Sequence, residues 1–380
     1  MKLVAKTLYG LEDVLAKELE SIGGTNIKPA NRAVSFTGSK ALLYRSNYCL
    51  RSALSVLSPV TEFLIRSRDD LYRRSAATDW SEIMDPDSTF SVVPVVNSKL
   101  FTHTGYPGLI VKDAIADHFR KKSGRRPSVN TDDPDLLINL HISNDQVTLS
   151  LDSSVIPLYK RGYRIHQGPA PLNEVLAAGI LMLSGWDTPA SLTDPMCGSG
   201  TILIEAGLMA DRIPPGKFRK SFGFMRWKDF EEDLFQKVRN EADIQIIKST
   251  TSITGSDISE QAVAQADANI KEAGLADLIT VNQADFNDIR PSGKGGFIIF
   301  NPPYGQRLNP DETDSLYGMI GTALKHNFAG NKAWVLTAGK ENLNCIGLKP
   351  ARKYTVYNGA LQCIFAGYDL YEGSRRQPAG

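Results

Sequence analysis

The chain has 380 residues, of which 42% are apolar and 22% charged, and its net charge is +1. It is too long for one ordinary domain and has the balance of a soluble globular protein, so two or three domains are expected. No apolar run reaches the roughly 18 residues of a membrane span, and MKLVAKTLYG lacks the apolar core of a signal peptide, which argues against membrane and secreted classes and predicts a cytoplasmic location.

Cys49, Cys197, Cys345 and Cys363 show no CxxC spacing, and the five histidines are scattered. Neither a disulfide scaffold nor a metal site is expected. Residues 1–165 hold 22 Lys and Arg against 18 Asp and Glu, a basic surplus compatible with nucleic acid.

From the start, KLVAKTL reads as a strand and Leu11 to Ile22 as an amphipathic helix stopped by Gly23 and Gly24. AVSFTGS reads as a strand, Lys40 to Ser46 as a helix start, and Leu50 to Thr61 as a mixed apolar stretch leading to the strand EFLIRS. From Asp69 a helix carries Leu71, Tyr72, Trp80 and Ile83, followed by the strand TFSVVPVVN. The next helix has Leu109, Ile110, Ala114, Ile115 and Phe119 on one face and ends in Arg120, Lys121, Lys122, Arg125 and Arg126. That basic cluster has two readings, a solvated turn favoured by the helix dipole and a phosphate-contacting surface. LLINLHIS and QVTLSLDSS alternate around Asn144 and Asp145, a hairpin signal.

The segments LFTHTGYPGLIVKDAIADHFR, GRRPSV, LDSS and YKRGYR resemble the THUMP module and its exit in RNA-modifying enzymes, and the match continues through the second half. The whole chain resembles the THUMP-containing class I S-adenosylmethionine-dependent RNA guanine-N2 methyltransferases. That group includes the N-terminal half of the bifunctional large-subunit rRNA enzyme, and many members have been labelled N6-adenine-specific DNA methylases. The resemblance implies a structured RNA partner, rRNA or tRNA, with Lys121, Lys122, Arg125 and Arg126 as phosphate contacts. It divides the chain into a ferredoxin-like α+β module at 1–65, a THUMP region at 66–154 and a methyltransferase region at 155–375. Related chains often read Asp-Thr-Ser-Gly and His-Lys-Arg-Gly-Tyr-Arg in the connector; here Val155 replaces the glycine and Tyr159 the histidine.

In QGPAPLNEVLAAGILMLSGW, Pro169 and Pro171 halt regular structure, and a helix from Leu172 packs Leu172, Leu176, Ile180 and Leu183 inward. In the related enzymes Gln167 to Leu172 would lie against the cofactor, so Gln167 and Leu172 join the candidates; the residues by themselves read as a proline-rich linker. SLTDPMCGSGTILIEAGLMA is a strand, a glycine turn and an apolar helix. Gly198 and Gly200 permit a tight turn, and the helix starting near Thr201 turns its N–H groups toward the loop, where the methionine carboxylate of S-adenosylmethionine is well placed. Asp194 ends the strand and can face the cofactor's sulfonium or ammonium; Cys197 reads as a small turn residue. The motif is neither GxGxxG nor GxxxxGK[ST], which disfavours dinucleotide and phosphate-loop functions.

Between the first two strands, PPGKFRKSFGFMRWKDF is either an RNA-facing or site-covering insertion or a hydrophobic plug around Phe222, Phe224 and Trp227. SITGSDIS ends in Asp257, whose carboxylate can accept from both ribose hydroxyls, with Ile258 beside it. LITVNQADFND ends in Asp285 and Phe286, suited to the adenine amino group and ring. A lone Asp after a strand is usually a helix cap. Here four strand ends converge in the order a mononucleotide sheet requires.

The fourth is FIIFNPPYGQRL, a buried parallel strand behind Gly295 and Gly296, ending in Asn301, Pro302, Pro303 and Tyr304. An amino group on a planar base is a poor nucleophile, so a site must hold it by its hydrogens. The Asn301 side-chain oxygen and the Pro302 carbonyl can accept them, the two prolines fix that carbonyl's direction, and Tyr304 offers a face to a flipped base. KYTVYNGALQCIFAGYDLY closes the chain as a strand pair turning at Asn358 and Gly359, and RRQPAG reads as a frayed tail.

The expected fold is therefore α/β: a seven-stranded Rossmann-like class I sheet with a terminal antiparallel hairpin, behind an α+β ferredoxin-like and THUMP RNA-binding region. The expected reaction is methyl transfer to the exocyclic amine of a base, guanine N2 in rRNA or tRNA. The same tetrapeptide serves DNA N6-adenine and protein glutamine methylation, with the N-terminal module favouring RNA, and a non-catalytic RNA-binding or assembly protein is the alternative of another class.

Overall fold

The structure, a computed structural model, describes residues 1–166, 171–291, 293–303 and 310–371. It divides into two units: Met1–Thr7, Ala16–Leu158 and Arg219–Glu241 form the first, and Leu8–Leu15, Tyr159–Phe218 and Ala242–Gly380 the second.

The first unit contains β1 (Lys2–Lys6), most of α1 (Glu12–Ser21), β2 (Thr25–Ala30), β3 (Ala33–Thr37), α2 (Lys40–Cys49), β4 (Ser55–Leu64), α3 (Arg68–Ala77), β5 (Thr89–Asn97), α4 (Tyr106–Ser123), β6 (Ser128–Val129), β7 (Leu136–Ser143) and β8 (Gln146–Asp152). Its eight strands lie in the order β2-β3-β1-β4-β8-β7-β5-β6, with β5 parallel to β6 and β7 and the other pairs antiparallel. Phe63, Trp80, Phe90, Val111, Ile115, Phe119 and the inward residues of β7 and β8 form one core.

Several sequence expectations shift here. The stretch Leu50 to Thr61 and EFLIRS resolve into one strand, β4, with an irregularity between Pro59 and Thr61. The helix expected to carry Trp80 and Ile83 ends at Ala77, and Trp80 opens a separate 3-10 turn with its indole N–H donating to the Ser75 carbonyl at 2.8 Å. On α4 Ala114, Ile115 and Phe119 are buried as expected, but Leu109 is 51% exposed and Val111 is fully buried in the first turns. Pro94 is tolerated because β5 beyond Phe90 pairs with β7 alone, an edge position that does not require every N–H. The Asn144 turn forms as expected, with Asn144 at φ 56°.

The second unit contains α5 (Glu174–Ser184), β9 (Leu192–Asp194), α6 (Thr201–Ala210), β10 (Ile253–Asp257), α8 (Glu260–Glu272), β11 (Ile279–Gln283), β12 (Phe297–Phe300), α9 (Pro310–Asn327), β13 (Lys332–Ala338), α10 (Lys340–Cys345), β14 (Arg352–Asn358) and β15 (Leu361–Asp369); α7 (Glu232–Asp243) precedes β10 and belongs mostly to the first unit. The sheet order is β11-β10-β9-β12-β13-β15-β14, parallel through β13 and antiparallel at the terminal hairpin. This is the seven-stranded sheet the sequence predicts. The chain runs outward through β9, β10 and β11 and then returns to β12 on the other side of β9. That reversal creates a crevice at the carboxyl ends of β9 and β12, where open α/β sheets receive ligands.

In the insertion between β9 and β10 the aromatic residues pack as the plug reading expects. Phe222 and Phe224 are buried and stack with centroids 5.3 Å apart, and Phe224 packs on Tyr44 of α2 at 4.5 Å. Three of its cations, Arg219, Arg226 and Lys228, are engaged within the first unit. Arg226 pairs with Asp133 at 2.8 Å, Lys228 with Asp85 at 2.8 Å, and Arg219 donates to the Ile156 and Pro157 carbonyls.

Candidate functional site

The four strand ends singled out by the sequence lie on adjacent strands, β11, β10, β9 and β12, and border one cleft of about 550 Å³. Asp194, Cys197, Gly198, Thr201, Asp257, Ile258, Asp285, Phe286, Asn301 and Pro303 all border it, as does Leu172 at the entry to α5. Gly200 does not; it caps α6 from the left-handed region at φ 83°, where an added Cβ would come within 3.2 Å of the Ala266 Cβ. Pro302 is buried behind Asn301. Gln167 and Tyr304 lie outside the described residues.

Asp257 joins two parts of the cleft. Its Oδ2 accepts from the Gly198 N–H at 2.9 Å, and its Oδ1 from the Ser259 N–H at 3.0 Å. Carboxylate oxygens accept more than one bond each, so capacity remains for a diol. Next to it Ile258 is 69% exposed, an apolar side chain at the cleft's edge, with its carbonyl held by Gln283. Asp285 caps the 3-10 turn Phe286–Asp288 through the Asn287 N–H, the commonplace role of such an Asp, while still bordering the cleft. The Phe286 ring packs on Phe300 and Phe328 in the core and meets the cleft only at its edge.

Asp194 is 1% exposed and forms no ion pair among the described residues. Burial pushes its carboxyl well above the usual carboxylate range; the Met196 N–H opposes the rise and the Asp257 charge adds to it. A buried carboxylate in a cleft without a cation is costly until a ligand brings one. The sulfonium and ammonium of S-adenosylmethionine are such cations, so this site fits that cofactor. Burial likewise pushes up the Cys197 thiol, which keeps it neutral and agrees with its reading as a turn residue.

At the end of β12, whose Phe297 to Phe300 are all buried, the Asn301 Oδ1 is buried and has no hydrogen-bond partner among the described residues. Native structures rarely leave a buried side-chain acceptor unmatched, and one at a cleft marks a place for a donor from a ligand.

Two residues of the site escaped the sequence reading. Asn269 of α8 is 1% exposed, accepts from the Ile165 and His166 N–H groups at 3.0 Å and donates to the His166 and Ser199 carbonyls. It fastens the connector to the glycine loop; an Asn among the buried positions Ala266 and Ile270 of a helix was the available signal. Arg164 is the other: its Nε donates to Glu174 at 2.9 Å and its Nη2 to the Leu172 carbonyl and the Thr201 hydroxyl. Deeper in the same connector, Arg161 and Tyr163 both reach Glu205 of α6, a fully buried cluster.

In the first unit Lys121, Lys122, Arg125 and Arg126 are all exposed at the end of α4. Lys122 donates to Asp79 and Ser81, and Arg125 pairs with Asp87. Among the described residues no helix is long and apolar enough to cross a membrane, and no group of three His, Cys, Asp or Glu is arranged to hold a metal.

Comparison with known proteins agrees with this layout. Residues 161–366 match the RMKL-like methyltransferase domain, residues 66–152 the THUMP domain and residues 2–57 the RlmL ferredoxin-like domain. The "putative RNA methyltransferase slr0064" of Synechocystis sp. is 37% identical over 374 residues, 97% of this chain and 96% of that protein. The ribosomal RNA large subunit methyltransferase K/L of Methylococcus capsulatus is 39% identical over 95% of this chain, which spans 50% of that protein's length. Among solved structures, SMU.472 in complex with S-adenosylhomocysteine superposes with a TM-score of 0.88 at 31% identity, over 98% of this chain and 99% of that one. The chain thus belongs to the THUMP-containing, RMKL-like family of S-adenosylmethionine-dependent methyltransferases.

Proposed function

We propose that this protein methylates the exocyclic amine of an RNA base, guanine N2 in rRNA first and in tRNA second. The observation that carries the reading is the buried, unmatched Asn301 Oδ1 at the end of β12, bordering the same cleft as Asp194 and Asp257. The THUMP match and the RNA methyltransferases among the relatives support RNA as the substrate class. An RNA substrate of this kind implies a cytoplasmic enzyme. The division at 1–65, 66–154 and 155–375 is kept as the functional one, with residues 219–241 serving the first unit as a plug.

The cofactor supplies a methyl group on a sulfonium, an already activated leaving group. Asp257 would hold the ribose, Ile258, Asp285 and Phe286 the adenine side, and Asp194 the cationic centre. Asn301 Oδ1 and the Pro302 carbonyl accept the two hydrogens of the target amine and turn its lone pair toward the methyl carbon, while Tyr304 stacks on the flipped base. As the new N–C bond formed and the methyl–sulfur bond broke, its electron pair going to sulfur, the amine nitrogen would become positive, so the Asn301 and Pro302 oxygens would bind the transition state more strongly than the neutral amine. The amine then sheds its proton, and no strong general base is required. Lys121, Lys122, Arg125 and Arg126 contact phosphates.

Asn301→Ala tests this. The rate is expected to fall about 10²- to 10³-fold with cofactor affinity nearly unchanged, the usual cost of one polar stabiliser. Full activity in that variant would overturn the assignment.

A further inference from the structure

The cleft spans the carboxyl ends of β11, β10, β9 and β12. A cofactor seated there fills the β9 side of Asn301 and leaves the other flank of β12 as the approach for a strand carrying the target base. On that flank the rim of the sheet is built from the end of β13, the start of β15 and the end of β14.

The strand register fixes how far this rim projects. Phe300 lies opposite Val335, Val335 opposite Ala366, and Ala366 opposite Lys353. Tyr357 is four residues farther along β14, which runs in the direction of β12, so it stands roughly 13 Å beyond the level where β12 ends. The β14–β15 hairpin thus rises beside the Asn301 end, about 14 Å across the sheet from it.

Two tyrosines meet at the hairpin. Tyr9 is 46% exposed and sets its ring edge-to-face with that of half-buried Tyr357, centroids 5.5 Å apart, and the Tyr357 hydroxyl donates to Gln362 Oε1 at 3.2 Å. The next residue, Gly10, has φ 86°, and an added Cβ would lie 2.3 Å from the Thr355 carbonyl oxygen. Only glycine lets this turn press so closely on β14, so the backbone holds Tyr9 at the hairpin while its ring stays open to solvent. At the end of β13, Lys340 is exposed and forms no ion pair or hydrogen bond among the described residues. A single exposed tyrosine or lysine is ordinary on a protein surface. Here a fixed aromatic pair and an unmatched cation share the one rim that the cofactor leaves open beside Asn301.

We propose that Tyr9, Tyr357 and Lys340 form the docking rim for the RNA strand that flanks the target base, the rings stacking an adjacent unpaired base and the Lys340 ammonium meeting a phosphate. The proposal rests on the RNA reading above and adds a contact surface in the second unit, apart from the basic end of α4. Stacking on an aromatic face tolerates every base, so the rim guides the path of the strand and leaves the choice of base to the Asn301 end.

The test measures methyl transfer to whichever RNA wild type labels, unmodified rRNA or tRNA, with wild type, Tyr9→Ala, Tyr9→Phe and Lys340→Gln. Each is also titrated with S-adenosylmethionine and checked by its thermal melt. Tyr9→Ala is expected to raise the KM for RNA about 5- to 100-fold, the worth of one stacked base, with kcat and cofactor affinity within about twofold of wild type. Tyr9→Phe keeps the ring and is expected to restore most of the lost affinity. Lys340→Gln is expected to raise the KM about 2- to 5-fold at low salt and less at high salt. An unchanged KM in Tyr9→Ala, or an equal loss in kcat and cofactor affinity, would overturn the proposal. A second measurement needs no variant to fold: RNA substituted with 4-thiouridine and irradiated with wild type is expected to crosslink to Tyr9, Tyr357 or the hairpin tip, and crosslinks confined to other segments would overturn the rim. A wild type that binds S-adenosylmethionine and labels no RNA would overturn the RNA reading and the rim with it.

Discussion

Asp257 at the end of β10 accepts a hydrogen bond from the Gly198 N–H at 2.9 Å, so the strand-end carboxylate and the glycine loop form one unit. The bond leaves acceptor capacity on Asp257 for a diol while fixing the glycine loop, which the proposed function sets against the methionine end. Asp257→Ala removes both contributions. Charge-assisted hydrogen bonds contribute about 1.5–3 kcal/mol each, so losing two to the ribose is expected to weaken S-adenosylmethionine binding by about 100-fold or more. Asp257→Asn, which keeps one acceptor, should fall between that variant and wild type in the same titration.

Asp194 gives a pH dependence of definite sign. Its folded-state carboxyl is raised by burial, so the free protein is most stable with Asp194 protonated and loses that stability as pH rises through the raised value. A cationic cofactor favours the ionised form, so affinity should strengthen over that same rise. Asp194→Asn is expected to raise the melting temperature of the cofactor-free protein at pH 8, to leave it little changed at acid pH, and to abolish the pH slope of binding while lowering affinity. A variant that melts lower at pH 8 and keeps the slope would show that Asp194 does neither.

Val155 in the connector has a φ of 57°, in the left-handed region that a β-branched side chain disfavours. Such a residue stores about 1–2 kcal/mol. Glycine relieves that strain but adds about 0.4–1 kcal/mol of unfolded-state freedom and loses the side-chain packing, so Val155→Gly should change stability by less than about 1 kcal/mol, measured as a small shift in the urea midpoint, where an unstrained Val→Gly change would clearly lower it.

The plug formed by residues 219–241 belongs physically to the first unit. Phe224 is fully buried between Tyr44, Phe222, Phe230 and Phe235. Phe224→Ala should cost about 3–5 kcal/mol. The isolated segment 1–158, deprived of these rings, is expected to expose Tyr44 and Tyr48 and to aggregate, and adding back a 219–241 peptide should restore a cooperative melt.

The cleft was legible where local chemistry repeats: glycine after strand, Asp at strand end, an apolar helix behind, and Asn301 to Pro303 after β12. Those features depend on residues a few positions apart, which a sequence displays directly. β2 was missed because TNIKPA is exposed at nearly every position and shows no alternation. Arg164, Arg161 and Asn269 were missed because their partners lie between 8 and 104 residues away, and a basic or amide side chain does not advertise that it is buried. The insertion stayed undecided for a similar reason. Its aromatic and basic residues suit RNA equally well until Tyr44 and Asp133 are seen to meet them.

The most direct test of the central claim is transfer of a labelled methyl group from S-adenosylmethionine to unmodified rRNA, tRNA and duplex DNA, each purified separately, followed by nucleoside analysis. The account expects label in RNA as N2-methylguanosine, with rRNA labelled in preference to tRNA and the signal lost in Asn301→Ala. Label confined to DNA as N6-methyladenine would contradict the substrate, and absence of label from every acceptor by a chain that binds the cofactor would contradict the catalytic reading.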